Sequence, residues 1–462
     1  MSPADLQPGG MDWRRQLQAI VAPALDRSTN IDAIRIDRGV LGETPALFAR
    51  HFGERAAFVV ADGNTWAAAG EAVAAAFVDA GHPLAHHVLD ARPRPKPTVE
   101  LGDALAARIG ATDAIPVVVG SGVLNDLVKY AAYKLDRPYL CVATAASMDG
   151  YASGGAPLAE AGFKKTIPCR PARVVVGDLD VIAGAPAEMT GWGFGDLAGK
   201  MPAGGDWLIA DALGVEPLDD VAWPLVQDNL RTWLATPAAV AAGEPGAVAA
   251  LFAGLTISGL AMEFHGSSRP ASGADHQIAH LWEMEGLTVA GEPAAHGACV
   301  AVGCHTTLAL FDWLVRQDLA ALDVEAVVAR APGLAAKHAE VDRLFPPALA
   351  DRAKAETTAK HLDAAAHRAR LEAVRAAWPQ LRDRLGAHLM GADEMAELLR
   401  AAGAPMRARE LGVRPAHHRR TVAASRFIRS RYTVLDLLDE CGLLETALAA
   451  VFRRPEFAGE AS

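Results

Sequence analysis

The first 185 residues alternate between short apolar runs and segments of helical periodicity, and this alternation restricts the fold more than any other feature of the sequence. A short apolar run that recurs between helical segments is typical of a strand in a mostly parallel sheet with helices on both faces. The strands predicted in this way are Ala33–Ile36, Ala57–Ala61, His87–Asp90, Ile115–Val119, Tyr139–Ala143 and Arg173–Val176, with a helix at Val123–Leu135 among the segments between them. The alternation therefore predicts an α/β domain.

The pattern changes after about residue 185, where strand-like runs disappear. Residues 348–400 carry apolar positions at helical spacing, with charges of both signs between them. We therefore predict an α/β domain at 1–185 and an all-helical domain at 186–462, a division that suits a chain of 462 residues. The longest uncharged run, Pro245–Met262, contains polar hydroxyls and three glycines, so we interpret it as a buried helix rather than a membrane span.

Charge and cysteine content exclude several classes of protein. With 44 basic and 55 acidic residues the formal net charge is −11, and an acidic protein is a poor nucleic-acid binder because phosphate contacts need a basic surface. The five cysteines form no CxxC pair, which argues against a disulfide framework and for a reducing compartment. The N-terminus lacks the apolar segment of a signal peptide. We therefore expect a cytoplasmic protein that binds neither nucleic acid nor membrane.

The first candidate for a binding site is the turn Gly120-Ser121-Gly122, which joins an apolar strand to a helix. Glycines let the backbone approach a ligand closely, and the N–H groups at a helix N-terminus favour a pyrophosphate. The third glycine of a GxGxxG motif is missing, so a plain strand-to-helix turn is an open alternative to nucleotide binding.

Two further segments can be interpreted as ligand sites or as ordinary local structure. The string TAASMDGYAS (144–153) follows a predicted parallel strand, at the position where ligands bind in open α/β sheets. Its alternative is a simple turn at Asp149-Gly150. Further on, three alternating glycines precede Asp196, whose carboxylate is either a metal ligand or a helix N-cap.

Three histidines give the most specific metal-site pattern in the chain. His276 and His280 are spaced i, i+4, so they project from one helical face, and His296 follows further along. Combined with Asp196, these histidines can supply three ligands and leave an open position, as a catalytic metal needs. The chain has 15 histidines, however, and lone histidines are mostly satisfied core or surface residues, so spacing alone leaves both interpretations open.

Three other clusters are weaker candidates. The pair Cys299 and Cys304-His305 matches no structural zinc spacing, which favours packed core residues. The run His417-His418-Arg419-Arg420 is interpreted as a solvated loop. Lys164-Lys165 can bind a phosphate, although an exposed lysine pair is the default interpretation.

Taken together, these segments resemble the sn-glycerol-1-phosphate dehydrogenase family, within the wider group of iron-containing alcohol dehydrogenases, glycerol dehydrogenases and dehydroquinate synthases. The resemblance runs from about residue 30 to about residue 450. Residues 154–162 and 201–245 depart from the family pattern, which affects the exact substrate more than the fold. The matching strings are GSGVLNDLVKY, ATAASMDGYAS, FKKTIP, VVVGDLDVIAGAP, GFGDLAGK, SSRPASGADHQIAHLWEME, AAHG and SRFIRSRYTVLDLLDECGLL.

The resemblance implies a Rossmann-like α/β domain for the dinucleotide and an all-α domain of the dehydroquinate synthase type for metal and substrate. It implies that Asp196, His276 and His296 hold the metal. It also implies that Asp149, Asp196 and His280 contact the substrate, with Asp196 and His280 as catalytic residues. The cofactor residues that it implies are Asp62, Gly122, Val123, Leu124, Asn125, Asp126, Thr144, Ala145, Ala146, Ser147 and Ser153.

The activity implied by the resemblance is the metal-dependent, NAD(P)H-linked reduction of dihydroxyacetone phosphate to sn-glycerol 1-phosphate, and its reverse. The expected cofactors are NAD or NADP and one divalent metal, for which zinc, nickel and iron all suit two histidines and a carboxylate. The expected partners are a small phosphorylated substrate and further copies of the chain in a homo-oligomer. The alternatives are a dehydroquinate synthase-like cyclase or lyase that uses NAD transiently, a plain glycerol dehydrogenase, and a non-catalytic member of the family. A more distant alternative is an oxygenase with two histidines and one carboxylate, which would leave the glycine-rich α/β half unused.

Overall fold

The computed structural model describes residues 13–160 and 163–458, and the first part of the chain forms a six-stranded parallel sheet. Each strand that the sequence predicts overlaps an observed strand, because each is an apolar run that ends at polar or glycine residues. The strands are β1 (Ala33–Asp37), β2 (Ala57–Asp62), β3 (Leu84–Leu89), β4 (Ile115–Gly120), β5 (Leu140–Ala143), β6 (Ala156–Glu160), β7 (Phe163–Ile167), β8 (Val174–Asp178), β9 (Thr288–Val289) and β10 (Glu292–Pro293).

The sheet has the strand order β1-β8-β5-β4-β2-β3, and all of its neighbouring strands are parallel. The chain leaves β2 toward β3 but leaves β4 toward β5, on the opposite side. Connections that diverge in this way leave a crevice at the carboxyl ends of the two strands, which is where open α/β sheets bind ligands. Residues 115–120 are all buried, as expected for a central strand covered on both faces.

Helices account for most of the rest of the described chain. Those up to residue 183 are α1 (Trp13–Leu25), α2 (Thr44–Phe52), α3 (Gly63–Thr65), α4 (Glu71–Asp79), α5 (Val99–Gly110), α6 (Gly122–Lys134) and α7 (Leu179–Ala183). Those that follow are α8 (Ala187–Ala198), α9 (Lys200–Ala212), α10 (Ala222–Trp233), α11 (Pro237–Ala241), α12 (Pro245–His265), α13 (Ala274–Met284), α14 (His296–Leu314), α15 (Val324–Arg330), α16 (Leu334–Leu344), α17 (Pro347–Lys360), α18 (Ala364–His388), α19 (Ala392–Ala401), α20 (Pro415–Ser425), α21 (Val434–Glu440) and α22 (Leu444–Val451).

The predicted fold class, an α/β part followed by a helical part, is confirmed. Two small antiparallel hairpins were not predicted. One pairs β6 with β7, and the other pairs β9 with β10 inside the otherwise helical second half.

The described residues form two compact units. One contains the described chain up to Leu197 together with Val221–Ser268 and Ala401–Gly403, and the other contains Ala198–Asp220, Arg269–Arg400 and the described chain from Ala404 on. The helical segment Val221–Ser268 thus belongs with the sheet. The domain boundary at residue 185 stays a prediction, because compactness alone does not define which stretches fold or bind independently.

Two described helices are long and apolar enough to cross a membrane, α12 and α14. In their most apolar windows 78% of the residues of α12 and 89% of those of α14 are buried inside the protein. Burial of this extent is typical of core helices, which pass the same test of length and hydropathy. The prediction that Pro245–Met262 is a buried helix is confirmed.

Candidate functional site

The carboxyl edge of the sheet carries the sequence-predicted cofactor residues. Asp62 is the last residue of β2, residues 122–126 form the start of α6 after β4, and residues 144–147 follow β5. Because β2, β4 and β5 are successive neighbours and all parallel, these three segments lie at the same edge. The structure therefore brings together the segments for which the resemblance implies cofactor binding.

The N-terminus of α6 has the features of an anion-binding helix end. Its N-cap residue, Ser121, makes no side-chain capping hydrogen bond in the described structure. The first-turn amides therefore lack the side-chain acceptor that usually satisfies them. A Cβ atom on Gly122 would lie 3.3 Å from Cγ of Met148, so the backbone is closely covered there. Helix N-termini of this kind bind phosphate groups through their amides and the helix dipole.

Lys129, a residue that the sequence analysis missed, fixes the loop at 144–155. It is fully buried on α6, and its Nζ donates hydrogen bonds to the carbonyl oxygens of Gly150 at 2.8 Å and Gly155 at 3.0 Å. The hydroxyl of Tyr151 donates to the carbonyl of Ala145 at 2.7 Å. A buried cation is stable only with such partners, so Lys129 and the loop depend on each other. The only signal in the sequence is that Lys129 stands inside the otherwise uncharged run at residues 127–132 of this helix.

Two helices contact the same loop without side chains between them. On α8, a Cβ atom at Gly193 would overlap the carbonyl oxygen of Ala146, and on α12 a Cβ at Gly259 would lie 2.7 Å from the carbonyl oxygen of Asp149. Only glycine allows backbones to approach so closely. Oδ2 of Asp196 on α8 accepts a hydrogen bond from the amide of Asp149 at 2.9 Å. The N-cap interpretation of Asp196 is wrong, because the glycine-rich string before it is helical and Asp196 lies near the end of α8.

Several of the predicted cofactor residues already have structural hydrogen bonds, among them Asp62, Asn125 and Ser153. Asp62 caps α3 by accepting from the amides of Asn64 and Thr65. Asn125 donates to the carbonyl of Gly150 at 3.2 Å and accepts from the hydroxyl of Tyr139 at 3.1 Å. The hydroxyl of Ser153 also donates to Gly150, at 3.4 Å. Asn125 and Ser153 thus hold the loop, and Asp62 holds the start of α3, so a cofactor would be contacted largely through the backbone of this region.

The second unit contains the three predicted histidines as a cluster. His276 and His280 lie on α13, and His296 is the first residue of α14. The ring centroids are 6.0 Å apart for His276 and His280, 5.4 Å for His276 and His296, and 5.5 Å for His280 and His296. Imidazoles on facing elements at this spacing are typical of a metal site.

Two of the histidines each have a carboxylate partner. Nδ1 of His276 lies 2.6 Å from Oδ2 of Asp275, and Nδ1 of His296 lies 2.6 Å from Oε1 of Glu283. A carboxylate only accepts, so Nδ1 carries the proton in each ring and Nε2 keeps its lone pair. Carboxylate–histidine pairs of this kind orient metal ligands and raise their basicity. The sequence analysis missed both Asp275 and Glu283.

His280 differs from the other two because no carboxylate hydrogen bond to its ring is observed in the described structure. Burial lowers the pKa of His280 well below its usual value; Glu283 raises it, and Arg429 with the other two histidines lowers it further. His280 is therefore neutral at physiological pH. Ligand atoms of His280, Glu283 and His296 also lie within 4.8 Å of one another, but the Glu283 carboxylate is already hydrogen-bonded to His296.

The start of α13 is anchored by a buried carboxylate, Asp206 on α9. Its Oδ2 accepts from the amide of Ala274 at 2.7 Å, and its Oδ1 accepts from the amide of Val434 at 2.6 Å, at the start of α21. Burial raises the pKa of Asp206 to about 7, although both amides lower it. A Cβ at Gly273 would overlap Oδ2 of Asp206, so the helix start can approach this carboxylate only with glycine there. The contact fixes the position of the helix that carries His276 and His280.

The remaining clusters have structural roles. Cys299 and Cys304 are fully buried on α14, and Nδ1 of His305 lies 2.9 Å from the carbonyl oxygen of Met406, which confirms their interpretation as core residues. The solvated-loop prediction for residues 417–420 is wrong: they lie on α20, and the buried His418 is hydrogen-bonded to Thr306. The side chains of Lys164 and Lys165 lie outside the described part of the structure.

Comparison with known proteins identifies relatives over most of the chain. Residues 35–186 match the family described as iron-containing alcohol dehydrogenase. A glycerol-1-phosphate dehydrogenase (NAD(P)+) of Bacillus velezensis is 39% identical over 193 residues, which are 42% of this chain and about half, 49%, of that protein. The enzyme of the same name from Halalkalibacterium halodurans is 31% identical over 284 residues, which are 61% of this chain and 71% of that protein.

The fold also matches solved structures. A probable glycerol dehydrogenase from Sinorhizobium meliloti 1021 superposes with a TM-score of 0.57 at 18% identity, covering 91% of this chain and 97% of the other. At this identity the likeness concerns the fold alone. It agrees with the α/β sheet and the helical second half described above.

Proposed function

The chain belongs to the glycerol-1-phosphate dehydrogenase family, and we propose that it reduces dihydroxyacetone phosphate to sn-glycerol 1-phosphate with NADH or NADPH, and catalyses the reverse reaction, with the help of a divalent metal. The observation that supports this most strongly is the pair of carboxylate-oriented histidines, His276 and His296. Hydroxyl–carbonyl interconversion by hydride transfer needs both a dinucleotide site and a group that stabilises charge on the reacting oxygen. The glycine-rich edge of the sheet and the histidine cluster have the chemistry for these two tasks.

The donor set fits a divalent transition metal. Asp196, His276 and His296 offer one carboxylate oxygen and two imidazole nitrogens. Nε2 is the nitrogen left for a metal on each histidine, because Asp275 and Glu283 engage Nδ1. Zinc, nickel and iron(II) all suit such ligands, and three protein ligands leave a position open for substrate. A metal bound there supplies a Lewis acid for the carbonyl oxygen.

Helix continuity supports Asp196 as the third ligand. Asp196 lies two positions before Ala198, the last residue of α8. Ala198 belongs to the same unit as the histidines, and its carbonyl oxygen accepts a hydrogen bond from Sγ of Cys304 at 3.3 Å. A helix rises about 1.5 Å per residue, so Asp196 is separated from this contact by only about 3 Å along the helix axis.

The other polar groups have distinct proposed tasks. Asp149, whose amide is held by the carboxylate of Asp196, contacts the substrate. His280, neutral and without a carboxylate hydrogen bond in the described structure, is suited to hydrogen-bond the substrate oxygen and to assist its proton transfer. The amides of residues 122–126 bind the cofactor's pyrophosphate, while Asp62, residues 144–147 and Ser153 complete the cofactor site. A bound nicotinamide supplies the hydride.

The proposal also covers the cellular location, the assembly and the partners of the enzyme. We propose a cytoplasmic homo-oligomer that binds no nucleic acid and no membrane. The net charge of −11 argues against a nucleic-acid partner, and the burial of both long apolar helices argues against a membrane span.

The test is oxidation of NADH and NADPH by the purified protein, followed by the absorbance of the reduced nicotinamide. Dihydroxyacetone phosphate, dihydroxyacetone and a panel of other ketone phosphates are compared after loading with zinc, nickel or iron(II), and a chelator-treated sample is the control. We expect metal-dependent turnover that is fastest with dihydroxyacetone phosphate. Equal kcat/KM for dihydroxyacetone would indicate a plain glycerol dehydrogenase. Absence of net oxidation with every substrate and metal would contradict the dehydrogenase proposal.

A further inference from the structure

One arginine that influences the histidine cluster electrostatically has no partner among the described residues. Arg429 is partly buried and forms neither a hydrogen bond nor an ion pair with any other residue that the structure describes. Two other arginines of the same unit are engaged. The partly buried Arg431 donates to the carbonyl of Ser272 at 2.7 Å, and the fully buried Arg269 donates to the carbonyls of Asp206 and Tyr432 at 2.9 Å each. Charged side chains that are partly buried are normally paired, so an unpaired guanidinium suggests a ligand.

The backbone around Arg429 is fixed against α13. On one side, Phe427 and Ile428 pack with Leu281 in a buried apolar cluster. On the other side, the backbone carbonyl of Arg431 accepts from the side-chain amide of Gln277, at 3.4 Å. These contacts attach both ends of the segment to the helix that carries the histidines. Arg429 lies between these two contacts along its segment, and His280 lies between the matching residues of α13, Gln277 and Leu281.

Arg429 also interacts electrostatically with the histidine cluster. Its charge lowers the pKa of His280. Burial and the charge of Arg352 lower the pKa of Arg429 itself, while Glu356 and Glu283 raise it. The two carboxylates that influence Arg429 have other partners: Glu283 is bonded to His296, and Glu356 accepts from the amide of Ser430 at 2.7 Å and lies 3.9 Å from Arg352. The guanidinium therefore keeps its positive charge available for an anion.

We propose that Arg429 binds the phosphate group of the substrate, an assignment that rests on the proposed function. An acidic protein needs a local cation to hold a phosphate ester, which carries a charge of about −1.5 to −2 at neutral pH. The planar guanidinium matches two phosphate oxygens at once. A guanidinium on the segment packed against α13 holds the phosphate end of a three-carbon substrate while His280 contacts its reacting oxygen.

The test compares Arg429→Gln and Arg429→Lys with wild type, each loaded with metal. Arg420→Gln is the matched control, because Arg420 belongs to the same unit but pairs with Glu285 on the surface. With Arg429→Gln we expect kcat/KM for dihydroxyacetone phosphate to fall roughly 10- to 150-fold, mainly through KM, as for the loss of a hydrogen bond to a charged group. The value for dihydroxyacetone should not change. Arg429→Lys should recover part of the loss, and Arg420→Gln should match wild type.

Two outcomes of the kinetics would overturn the assignment. An equal loss with both ketones would mean that Arg429 acts on folding or on the reacting carbon. A rise in KM for NADPH alone would mean that the arginine binds the cofactor's phosphate. Thermal melting of each variant checks that the fold is intact, and Arg429→Lys provides the comparison if Arg429→Gln melts early.

Binding of inorganic phosphate, measured by calorimetry on the metal-loaded protein, needs no turnover. Arg429→Gln should weaken this binding by a factor similar to its loss of kcat/KM, and unchanged binding would overturn the proposal. If wild type binds phosphate through Arg429 but turns over no ketone phosphate, the proposed function fails and the phosphate site stands. If wild type reduces dihydroxyacetone phosphate and Arg429→Gln does so equally well, the function stands and the phosphate site fails.

Discussion

The loop at residues 144–155 and the histidine cluster of α13 and α14 are organised in opposite ways. The loop is held through its own backbone: its carbonyl groups accept hydrogen bonds from the side chains of Lys129 and Tyr151, and Gly193 lets α8 touch it directly. The histidine cluster is shaped by side chains, with Asp275 and Glu283 each holding one ring. The loop should therefore tolerate substitutions of its exposed side chains but not extra atoms where the helices touch it. The histidine cluster should stay folded when a single side chain is removed, but it should lose its function.

The largest effect is expected from His276→Ala. It removes a proposed metal ligand from a cluster whose helix is anchored elsewhere, by Asp206. Loss of a residue that only hydrogen-bonds a metal ligand typically lowers metal affinity roughly 10- to 100-fold. Loss of the ligand itself should lower it further, and turnover should fall with the metal content. Metal analysis and thermal melting of the purified variant measure both parts of the claim. Retention of wild-type metal content would show that the metal site lies elsewhere.

His280→Ala separates the two histidines of the i, i+4 pair. His280 has no carboxylate partner in the described structure and is proposed to contact the substrate. The variant should keep its metal while kcat/KM falls about 10²–10⁴-fold, the usual contribution of a general acid or base. Metal analysis is carried out alongside kinetics. If this variant loses metal as fully as His276→Ala, His280 is a ligand, together with its neighbours Glu283 and His296.

Gly193→Ala tests the loop side of the comparison. The new Cβ overlaps the carbonyl oxygen of Ala146, a backbone atom that cannot move without distorting the loop. We expect the free energy of unfolding to fall by at least about 1–3 kcal/mol, and NADH binding to weaken as well. Gly386→Ala is the matched control, because Gly386 also lies in a helix and a Cβ there meets nothing within 4 Å. Melting and NADH titration that do not differ between the two variants would contradict the close packing.

The smallest effect is expected from Glu283→Ala, which leaves all three histidines in place. Loss of the hydrogen bond to Nδ1 of His296 should reduce metal affinity about 10- to 100-fold without unfolding the protein. Glu285→Ala is the control, since Glu285 pairs with His417 and Arg420 at the surface. Competition with a chromophoric chelator measures the affinity. Equal affinities for the two variants would remove Glu283 from the site.

The sheet could be predicted from the sequence because its central strands β2, β4, β5 and β8 are mostly apolar runs, whose signal is local. The hairpin of β6 and β7 could not, since residues 156–160 are rich in alanine and proline, which are poor strand formers. Helix α8 was not predicted because glycines are unfavourable in helices, and three of them precede Asp196. Gly193 is needed there for a contact with Ala146, a residue far away in the sequence.

Residues of the candidate site were predictable when a motif carried them. His276, His280 and His296 were found by their spacing and by the family resemblance. Lys129 and Arg429 were missed because only tertiary structure reveals that Lys129 is buried against a loop and that Arg429 is unpaired beside the histidines. The prediction for His418 was wrong for the same reason. A run of histidines and arginines indicates exposure, but one face of α20 packs inward against Thr306.

Asp206 links two segments that are distant in the sequence, since one carboxylate serves the first amides of both α13 and α21. Its replacement would leave two helix N-termini without their acceptor at the same time, and no single second change could restore both. We therefore expect Asp206, Gly273 and the start of α21 to be inherited together among relatives, as one block. A chimaera that exchanges α13 between two relatives should fold only when the other two elements come from the same parent.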